Sequence, residues 1–381
     1  MARANDPFYL DDRHQNVGLP GGGKLCDAIG QERKFMVNRA SQRPLVAIVT
    51  PVYNGALFLA ETMACVQAQT YSDLVHVVLD NASTDATPEV IERAKGGRVP
   101  VLSFRNVETL SLWANWDKAV RLIPDNAAYF LLLCADDLMA PSAVEKLVTV
   151  AESDLQIGVV GCLWATGPAS NGDLERSRSG LPRDRSVFDG RWIVKSYLMQ
   201  MHFATSPQCQ LFRRNALTEP TAFYLDQEML TDIDACLRTL LDWKYGFVHQ
   251  TLAFTRKHNE RLTAKVSEPE QQFTANWLAL IDRYGPSTMA THELDVCRRA
   301  YLRYYYRRLL VWRFRNRNKA LYAKHILSLA RQNARPTLFQ FAVALCEWVW
   351  LAARGRRNEV STARTLWPEV WTELVASGER R

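Results

Sequence analysis

The chain reads LVAIVTPVYNG over residues 45–55, LVHVVLDNASTDAT over residues 74–87 and YFLLLCADD over residues 129–137. Each stretch begins as a short apolar run and then stops at polar residues. Continuous apolar runs of this length are typical of strands that are buried on both faces of a sheet. The three stretches therefore predict neighbouring strands, each ending in polar side chains.

Predicted helices separate these predicted strands. The strands are 45–50, 74–79, 99–104 and 129–134, and the helices are 57–69, 88–95 and 112–122. This alternation predicts an α/β fold with a mostly parallel sheet covered by helices on both faces. Ligands of such sheets bind where the strands end, so the polar residues at those ends are the candidate site.

The rest of the chain has a different composition. Residues 1–43 are polar and lack the apolar core of a signal peptide, which predicts an N-terminal extension. Residues 44–265 are the predicted catalytic domain, within which 170–189 is a polar loop. Residues 266–381 are predicted to be helical and basic, and they complete the three-part organisation.

The bulk composition narrows the class of protein. The 381 residues are 48% hydrophobic and 23% charged, as in a globular protein, and the net charge of +7 favours anionic partners such as nucleotides or lipid headgroups. No two of the eight cysteines form a Cys-x-x-Cys pair, so a zinc knuckle is not indicated. Scattered single cysteines are typical of a reducing compartment, and we expect a cytoplasmic location.

Three acidic groups lie near predicted strand ends or helix starts. Asp80 ends the second strand, the Asp136-Asp137 pair follows the fourth, and Asp232 lies close to Asp234 in a predicted helix. Adjacent carboxylates with oxygen ligands are suited to Mg²⁺ or Mn²⁺. A helix cap is an equal alternative for the pair, because a helix is predicted to begin shortly after it.

Taken together and in order, the motifs resemble those of the family 2 glycosyltransferases, which have the GT-A fold. The motifs are 50–55 (TPVYNG), 69–71 (QTY), 78–87 (VLDNASTDAT), 114–116 (ANW) and 135–138 (ADDL). The resemblance covers residues 45–265 with order and spacing kept. It implies an enzyme that transfers a sugar from a nucleotide-diphosphate sugar to an acceptor hydroxyl.

The resemblance also implies a place for the nucleotide of the donor. The expected donor contacts outside the metal motif are the residues of the first two strand ends, namely Pro51, Tyr53, Asn54, Asp80 and Ser83. Asp80 would accept a hydrogen bond from the base or the ribose. Asp85, in the same stretch, is expected to cap the following helix.

The remaining implied roles concern the diphosphate and the acceptor. Asp137 would hold Mg²⁺ or Mn²⁺ on the diphosphate, with Asp136 nearer the sugar or ribose. Asp232 would be the catalytic base, and His258 would lie near the leaving phosphate. One base with in-line attack predicts an inverting enzyme, and Asp234 is close enough in sequence to be an alternative base.

Some positions depart from the family pattern. Ala135 and Thr231 stand where acidic residues are frequent, so a catalytically degenerate scaffold that binds nucleotide sugar or a partner is the alternative function. The Gln-x-x-Arg-Trp motif of processive synthases is absent, which predicts a nonprocessive, hexosyltransferase-like enzyme. Its expected acceptor is a glycan or a lipid-linked glycan in surface polysaccharide synthesis.

Two C-terminal segments combine aromatic and basic residues. Residues 338–353 are apolar with two tryptophans and precede Arg354, Arg356 and Arg357, which is typical of a helix lying on an anionic membrane surface. The alternative is a helix packed on the catalytic domain. Residues 301–317 carry interleaved tyrosine and arginine, and they too either lie on a membrane surface or pack on the catalytic domain. No nucleic-acid partner is expected. A peripheral position at the inner membrane face is thus one alternative for the location.

Overall fold

The first half of the sheet forms because four apolar strands pair side by side. In the computed structural model, which describes residues 43–167, 174–199, 210–217, 222–225, 230–258 and 268–353, these strands are parallel. They are β1 (Val46–Val52), β2 (Leu74–Asp80), β3 (Val101–Arg105) and β4 (Tyr129–Leu132). Every residue of β1, β2 and β4 is buried, as the sequence predicts for strands covered on both faces.

Helices follow these strands at the predicted places. They are α1 (Leu59–Gln67), α2 (Thr87–Arg93) and α3 (Leu112–Arg121). Helix α2 carries a proline in its first turn, and α3 begins at Ser111, whose hydroxyl accepts a hydrogen bond from the backbone N–H of Ala114. The α/β prediction for this half of the sheet is confirmed.

The second half of the sheet is mixed in direction and was not predicted in detail. Its strands are β5 (Leu138–Met139), β6 (Ile157–Gly167), β7 (Glu175–Arg176), β8 (Val187–Phe188), β9 (Gln210–Arg213) and β10 (Lys244–Arg256). The main strand order is β3-β2-β1-β4-β9-β6-β10-β5. Strand β9 is antiparallel to both neighbours, whereas β6 and β10 are parallel. The carboxyl ends of β4 and β10 therefore share one edge of the sheet.

Three helices and a 3₁₀ turn accompany this half. The helices are α4 (Ala143–Ala151), α5 (Gly190–Leu198) and α6 (Thr231–Thr239), and the 3₁₀ turn is Arg214–Ala216. Helix α5 is capped by Asp189, whose carboxylate accepts from the N–H of Trp192. Gly190 lies where a Cβ would be 1.9 Å from the carbonyl oxygen of Trp243, so only glycine permits this approach of helix and strand.

The C-terminal part is helical, as predicted. After a turn at Glu268–Glu270 come α7 (Gln272–Thr288), α8 (Thr291–Leu310), a π-helical turn (Val311–Arg315), α9 (Lys319–Arg331) and α10 (Leu338–Ala353). Among the helices described, none is both long enough and apolar enough to pass through a bilayer. The chain from Leu45 onward forms one compact unit. The boundary at residue 265 stays a prediction.

Four of the six aromatic residues of the 301–317 segment are buried, whereas Phe314 is exposed. Tyr301 and Tyr306 donate hydrogen bonds to the carbonyl oxygens of Thr274 and Ala334, both at 2.9 Å. Trp312 is buried. These tyrosines and the tryptophan are therefore part of the core. For them, the alternative of a helix packed on the protein applies, and not that of a helix on a membrane surface.

Candidate active site

The ends of β1 and β2 are cross-linked by hydrogen bonds. The backbone N–H of Asn54 donates to the Ser83 hydroxyl (2.9 Å), and the Asn54 carboxamide accepts from the N–H of Thr84 (2.8 Å). Asn54 has a φ of 47°, a left-handed conformation that asparagine tolerates. The predicted donor residues of the two strand ends are thus brought together in one loop pair, with Pro51 buried and Tyr53 exposed beside them.

Asp80 lies buried at the base of this loop pair. Its carboxylate accepts from the N–H of Ser83 (2.9 Å) and forms an ion pair with Arg105. Arg105 also donates to the carbonyl oxygen of Ser83 (2.8 Å). Arg105 was not among the predicted site residues, and its position follows from β3 pairing next to β2. The role of Asp80 in binding the donor stays a prediction.

Asp85 closes the same loop. Its carboxylate accepts from the N–H of Ala56 (3.1 Å) and from the N–H of Thr87 (3.0 Å), the first residue of α2. It therefore binds a backbone N–H at the start of α2, although the residue in the N-cap position is Ala86 and not Asp85. Asn54, Asp80 and Asp85 together hold the two strand ends in place.

Asp136 and Asp137 follow β4 at the shared strand edge. The hydroxyl of Thr62 in α1 is placed to donate to two backbone carbonyl oxygens, that of Ala135 at 2.9 Å and that of Asp137 at 3.0 Å. Asp137 is buried, whereas Asp136 is partly exposed. A buried carboxylate requires compensating donors, and the last strand supplies them.

Arg256, the last residue of β10, provides that compensation. Its backbone N–H donates to Asp137 Oδ1 (3.2 Å), its Nε donates to the carbonyl oxygen of Asp136 (3.1 Å), and its Nη2 pairs with Glu61 (2.9 Å). The guanidinium lies over the ring of Phe58 at 4.7 Å. Arg256, Glu61 and Phe58 are not among the site residues predicted from the sequence.

His258 reaches the same carboxylates from just beyond β10. Its Nε2 lies 2.8 Å from Asp136 Oδ2, and its ring lies 4.6 Å from that of Phe58. The structure thus joins His258 to the Asp136-Asp137 pair, although 122 positions separate it from Asp136. A histidine at this place can donate to an anionic oxygen that approaches the carboxylates.

The residues at this edge fit a divalent cation. Ligand atoms of Cys134, Asp136 and Asp137 lie within 4.8 Å of one another. Two carboxylates and a partly open position suit Mg²⁺ or Mn²⁺. The Cys134 thiol adds a softer donor that the sequence analysis did not include. The structure therefore contains a candidate metal site, with Asp137 and Asp136 as its oxygen ligands.

Asp232 lies in the first turn of α6 and is within electrostatic reach of this site. Burial raises the pKa of the Cys134 thiol well above its usual value, and the negative charges of Asp137, Asp136 and Asp232 raise it further. Burial likewise raises the pKa of Asp232 from 3.8 to about 6, against the opposing effect of backbone N–H groups of Ile233 and Asp232. A carboxylate with this pKa is ionised at neutral pH and is still a competent base.

Asp234 is held in a different environment. It is fully buried, accepts a hydrogen bond from the Tyr284 hydroxyl (2.6 Å), and forms ion pairs with Arg238 and Arg283. These partners tie α6 to α7. The carboxylate of Asp234 is thus engaged by three side chains in the interior, so the geometry favours Asp232 over Asp234 for the role of base.

Two solved structures share this fold. The crystal structure of Staphylococcus aureus TarS residues 1–349 superposes with a TM-score of 0.54 at 13% identity, covering 86% of this chain and 92% of that one. A Pyrobaculum calidifontis mannosyltransferase, solved with GDP-Man and Mn²⁺, gives a TM-score of 0.50 at 15% identity, covering 91% and 98%. The fold is that of the GT-A glycosyltransferases.

Sequence comparison finds the same kind of protein. Residues 47–219 match the family model described as glycosyl transferase family 2. An uncharacterised glycosyltransferase of Haemophilus influenzae is 28% identical over 120 residues, or 31% of this chain and 36% of that protein. Chondroitin synthase of Escherichia coli is 28% identical over 123 residues, or 32% and 17%. The matched region thus spans well under two thirds of these relatives.

Proposed function

We propose that the protein is an inverting, nonprocessive glycosyltransferase that uses a nucleotide-diphosphate sugar as its donor. The observation that carries this proposal is the meeting of Asp136 and Asp137 with His258 at one strand edge, within electrostatic reach of Asp232. Transfer of a sugar to a hydroxyl requires a group that stabilises the leaving phosphate and a base that accepts the hydroxyl proton. In this proposal His258 and the two aspartates serve the leaving phosphate, and Asp232 is the base.

Asp232 activates the acceptor in this proposal. A hydroxyl is a weak nucleophile until it begins to lose its proton, and a positioned carboxylate increases the rate by about 10²- to 10⁴-fold. The hydroxyl oxygen attacks the anomeric carbon while the proton moves to Asp232. Attack opposite the leaving group inverts the anomeric centre.

Negative charge develops on the phosphate oxygen as the glycosidic bond breaks. His258 is placed to donate to that oxygen, and the buried guanidinium of Arg256 fixes the loop that carries both aspartates. Asp137, with Asp136, would hold Mg²⁺ or Mn²⁺, which would supply positive charge to the diphosphate. The Mn²⁺ named for the mannosyltransferase structure supports this choice of ion.

The donor and acceptor are proposed by class. TarS has been solved with UDP-GlcNAc and the mannosyltransferase with GDP-Man, which supports a nucleotide hexose here. The cross-linked loops of Asn54, Asp80 and Ser83, with Pro51 and Tyr53, would receive the nucleotide. We propose a glycan or lipid-linked glycan as acceptor, in the cytoplasm, and the similarity to chondroitin synthase supports a polysaccharide pathway.

A thermal-shift experiment tests donor and metal binding. The melting temperature would be measured with UDP, GDP and their sugars, with and without Mn²⁺, because a ligand of the folded state raises it by mass action. We expect a Mn²⁺-dependent rise for one nucleotide that is lost in Asp137→Ala. The absence of any rise would favour the alternative of a degenerate scaffold.

A turnover experiment tests the base. Asp232→Asn should lower the rate of sugar transfer by at least about 100-fold while donor binding persists. Asp125→Asn is the matched control, because Asp125 is fully exposed and pairs only with Arg214 in the described structure. Unchanged turnover in Asp232→Asn would contradict the assignment of the base.

A further inference from the structure

The outermost helix, α10, exposes apolar side chains. Leu338 is 91% exposed, Phe339 77%, Val349 57% and Trp350 54%, and Leu345 is also exposed. Positions 338, 345 and 349 recur with the spacing of one helix face. Contiguous exposed apolar surface of this kind is rare on monomeric soluble proteins and marks a site of interaction.

The one charged side chain of α10 faces the protein. Glu347 is the one charged residue in residues 338–353, and it forms ion pairs with Arg303 and Arg307 of α8. Ala344 is buried on the same side. The helix thus packs Phe341, Ala344 and the ion-paired Glu347 against the rest of the protein and leaves a second apolar side exposed.

The part of the chain that carries this apolar face is rich in positive charge. Residues 268–353 contain 13 Lys and Arg against 6 Asp and Glu, a net charge equal to the +7 of the whole chain. Arg331 and Arg335, which precede α10, are exposed, and three of the residues 354–357 are arginine. Basic residues at both ends of an apolar helix complement an anionic surface.

We propose that α10 docks the protein on an anionic phospholipid bilayer, lying along the headgroup region with its outer face among the acyl chains. The helix has 16 residues, fewer than the ~20 that span a bilayer, and interfacial tryptophan is typical of helices that lie on the surface. A second copy of the chain is a poorer occupant, because two such basic surfaces would repel each other. The inference does not depend on sugar transfer.

Vesicle sedimentation tests the proposal on the full chain. The probes are vesicles of phosphatidylcholine with phosphatidylglycerol, and vesicles of phosphatidylcholine alone. We expect sedimentation with the anionic vesicles that weakens with salt. The double variant Leu345→Glu with Val349→Glu should lower the partition coefficient by at least about tenfold, because two apolar side chains lose their contact with the acyl chains.

Two further variants separate the apolar and the electrostatic contributions. Leu155→Glu introduces the same change at an exposed leucine before β6, and it should leave the partition coefficient unchanged. Arg335→Gln should lower binding to anionic vesicles by about fivefold and leave binding to neutral vesicles unchanged. Since these side chains are exposed, unchanged melting temperatures would show that each variant is folded.

Two results would overturn the proposal. The first is a full-length protein that stays in the supernatant with anionic vesicles, or a double variant that binds them as well as the parent. The second is a dimer in sedimentation velocity that the double variant abolishes, with no vesicle binding by either protein. The second result would assign the face of α10 to another copy of the chain.

Discussion

At the scale of single residues, burial makes the ionised form of the Asp232 carboxylate unfavourable, and the proposed reaction needs that ionised form. Asp232 lies in the first turn of α6, and burial raises its pKa to about 6. A carboxylate on the protein surface would be ionised but would be a weaker base. The same burial that strengthens the base also makes its ionised form costly to the folded state.

The proposed role of Asp232 predicts the pH dependence of transfer. Only the ionised carboxylate accepts a proton, so kcat/KM should be nearly constant above about pH 7 and should fall about tenfold per pH unit well below 6. The measurement is initial rate against pH at saturating metal. A profile that falls only below pH 4 would point to a base with an ordinary carboxylate pKa.

Stability should show the opposite trend at this residue. Because the folded pKa lies above the usual 3.8, the folded chain binds more protons than the unfolded chain between pH 3.8 and 6, and stability decreases as pH rises through this range. Asp232→Asn should therefore raise the free energy of unfolding at pH 7.5 by up to about 2–3 kcal/mol. The gain should shrink at pH 4, as measured by denaturant unfolding at both pH values.

At the scale of elements, helix α6 carries two aspartates in different environments. Asp234 joins α6 to α7 through Arg283 and Tyr284 and pairs with Arg238 within its own helix. Asp234→Ala should lower the free energy of unfolding by about 1–3 kcal/mol, because it leaves the buried hydroxyl of Tyr284 without its acceptor and removes the partner of two partly exposed guanidinium groups. Denaturant unfolding measures this loss. A loss below about 1 kcal/mol would mean that the guanidinium groups find water instead.

The sequence predicts some strands better than others for a physical reason. Strands β1, β2 and β4 are buried on both faces and read as unbroken apolar runs. Strand β10 was missed, since its register shifts between Val248 and Thr251 and leaves His249 and Gln250 outside the regular pairing. A bulge of this kind breaks the alternation on which strand prediction depends.

The same limit applies to the candidate site. Asp136, Asp137 and Asp80 could be chosen because they end recognisable strands. Arg256 and Glu61 could not, since their ion pair joins residues 195 positions apart and exists only once β10 lies beside β5. The resemblance already favoured Asp232 over Asp234 as the base, and the structure adds a physical reason, because Arg283 and Tyr284 of α7 bind the carboxylate of Asp234.

At the scale of the whole molecule, the C-terminal helices cover the catalytic domain. The indole of Trp277 in α7 stacks on Tyr197 of α5 at 4.7 Å, and Lys195 of α5 pairs with Glu293 of α8 at 2.6 Å. Leu278 and Ile281 of α7 are fully buried. The helices are therefore part of the structure that supports Asp232.

This packing predicts that the catalytic domain alone is unstable. A fragment of residues 44–265 would expose the surface that α7 covers, and each fully buried leucine or isoleucine lost contributes about 1.5–3 kcal/mol. Several such losses equal the total stability of a typical domain. We expect no cooperative melting by circular dichroism for this fragment. A fragment of residues 44–353 is the control and should melt cooperatively.

Arg256 also determines when the site can form during synthesis. Asp136 and Asp137 leave the ribosome about 120 residues before the arginine whose backbone and side chain compensate them. Until then, the nascent chain carries two adjacent carboxylates with no cationic neighbour from β10. The growing polypeptide should therefore be unable to bind donor nucleotide until translation has passed the last strand. Binding of the proposed donor then cannot assist the earlier steps of folding.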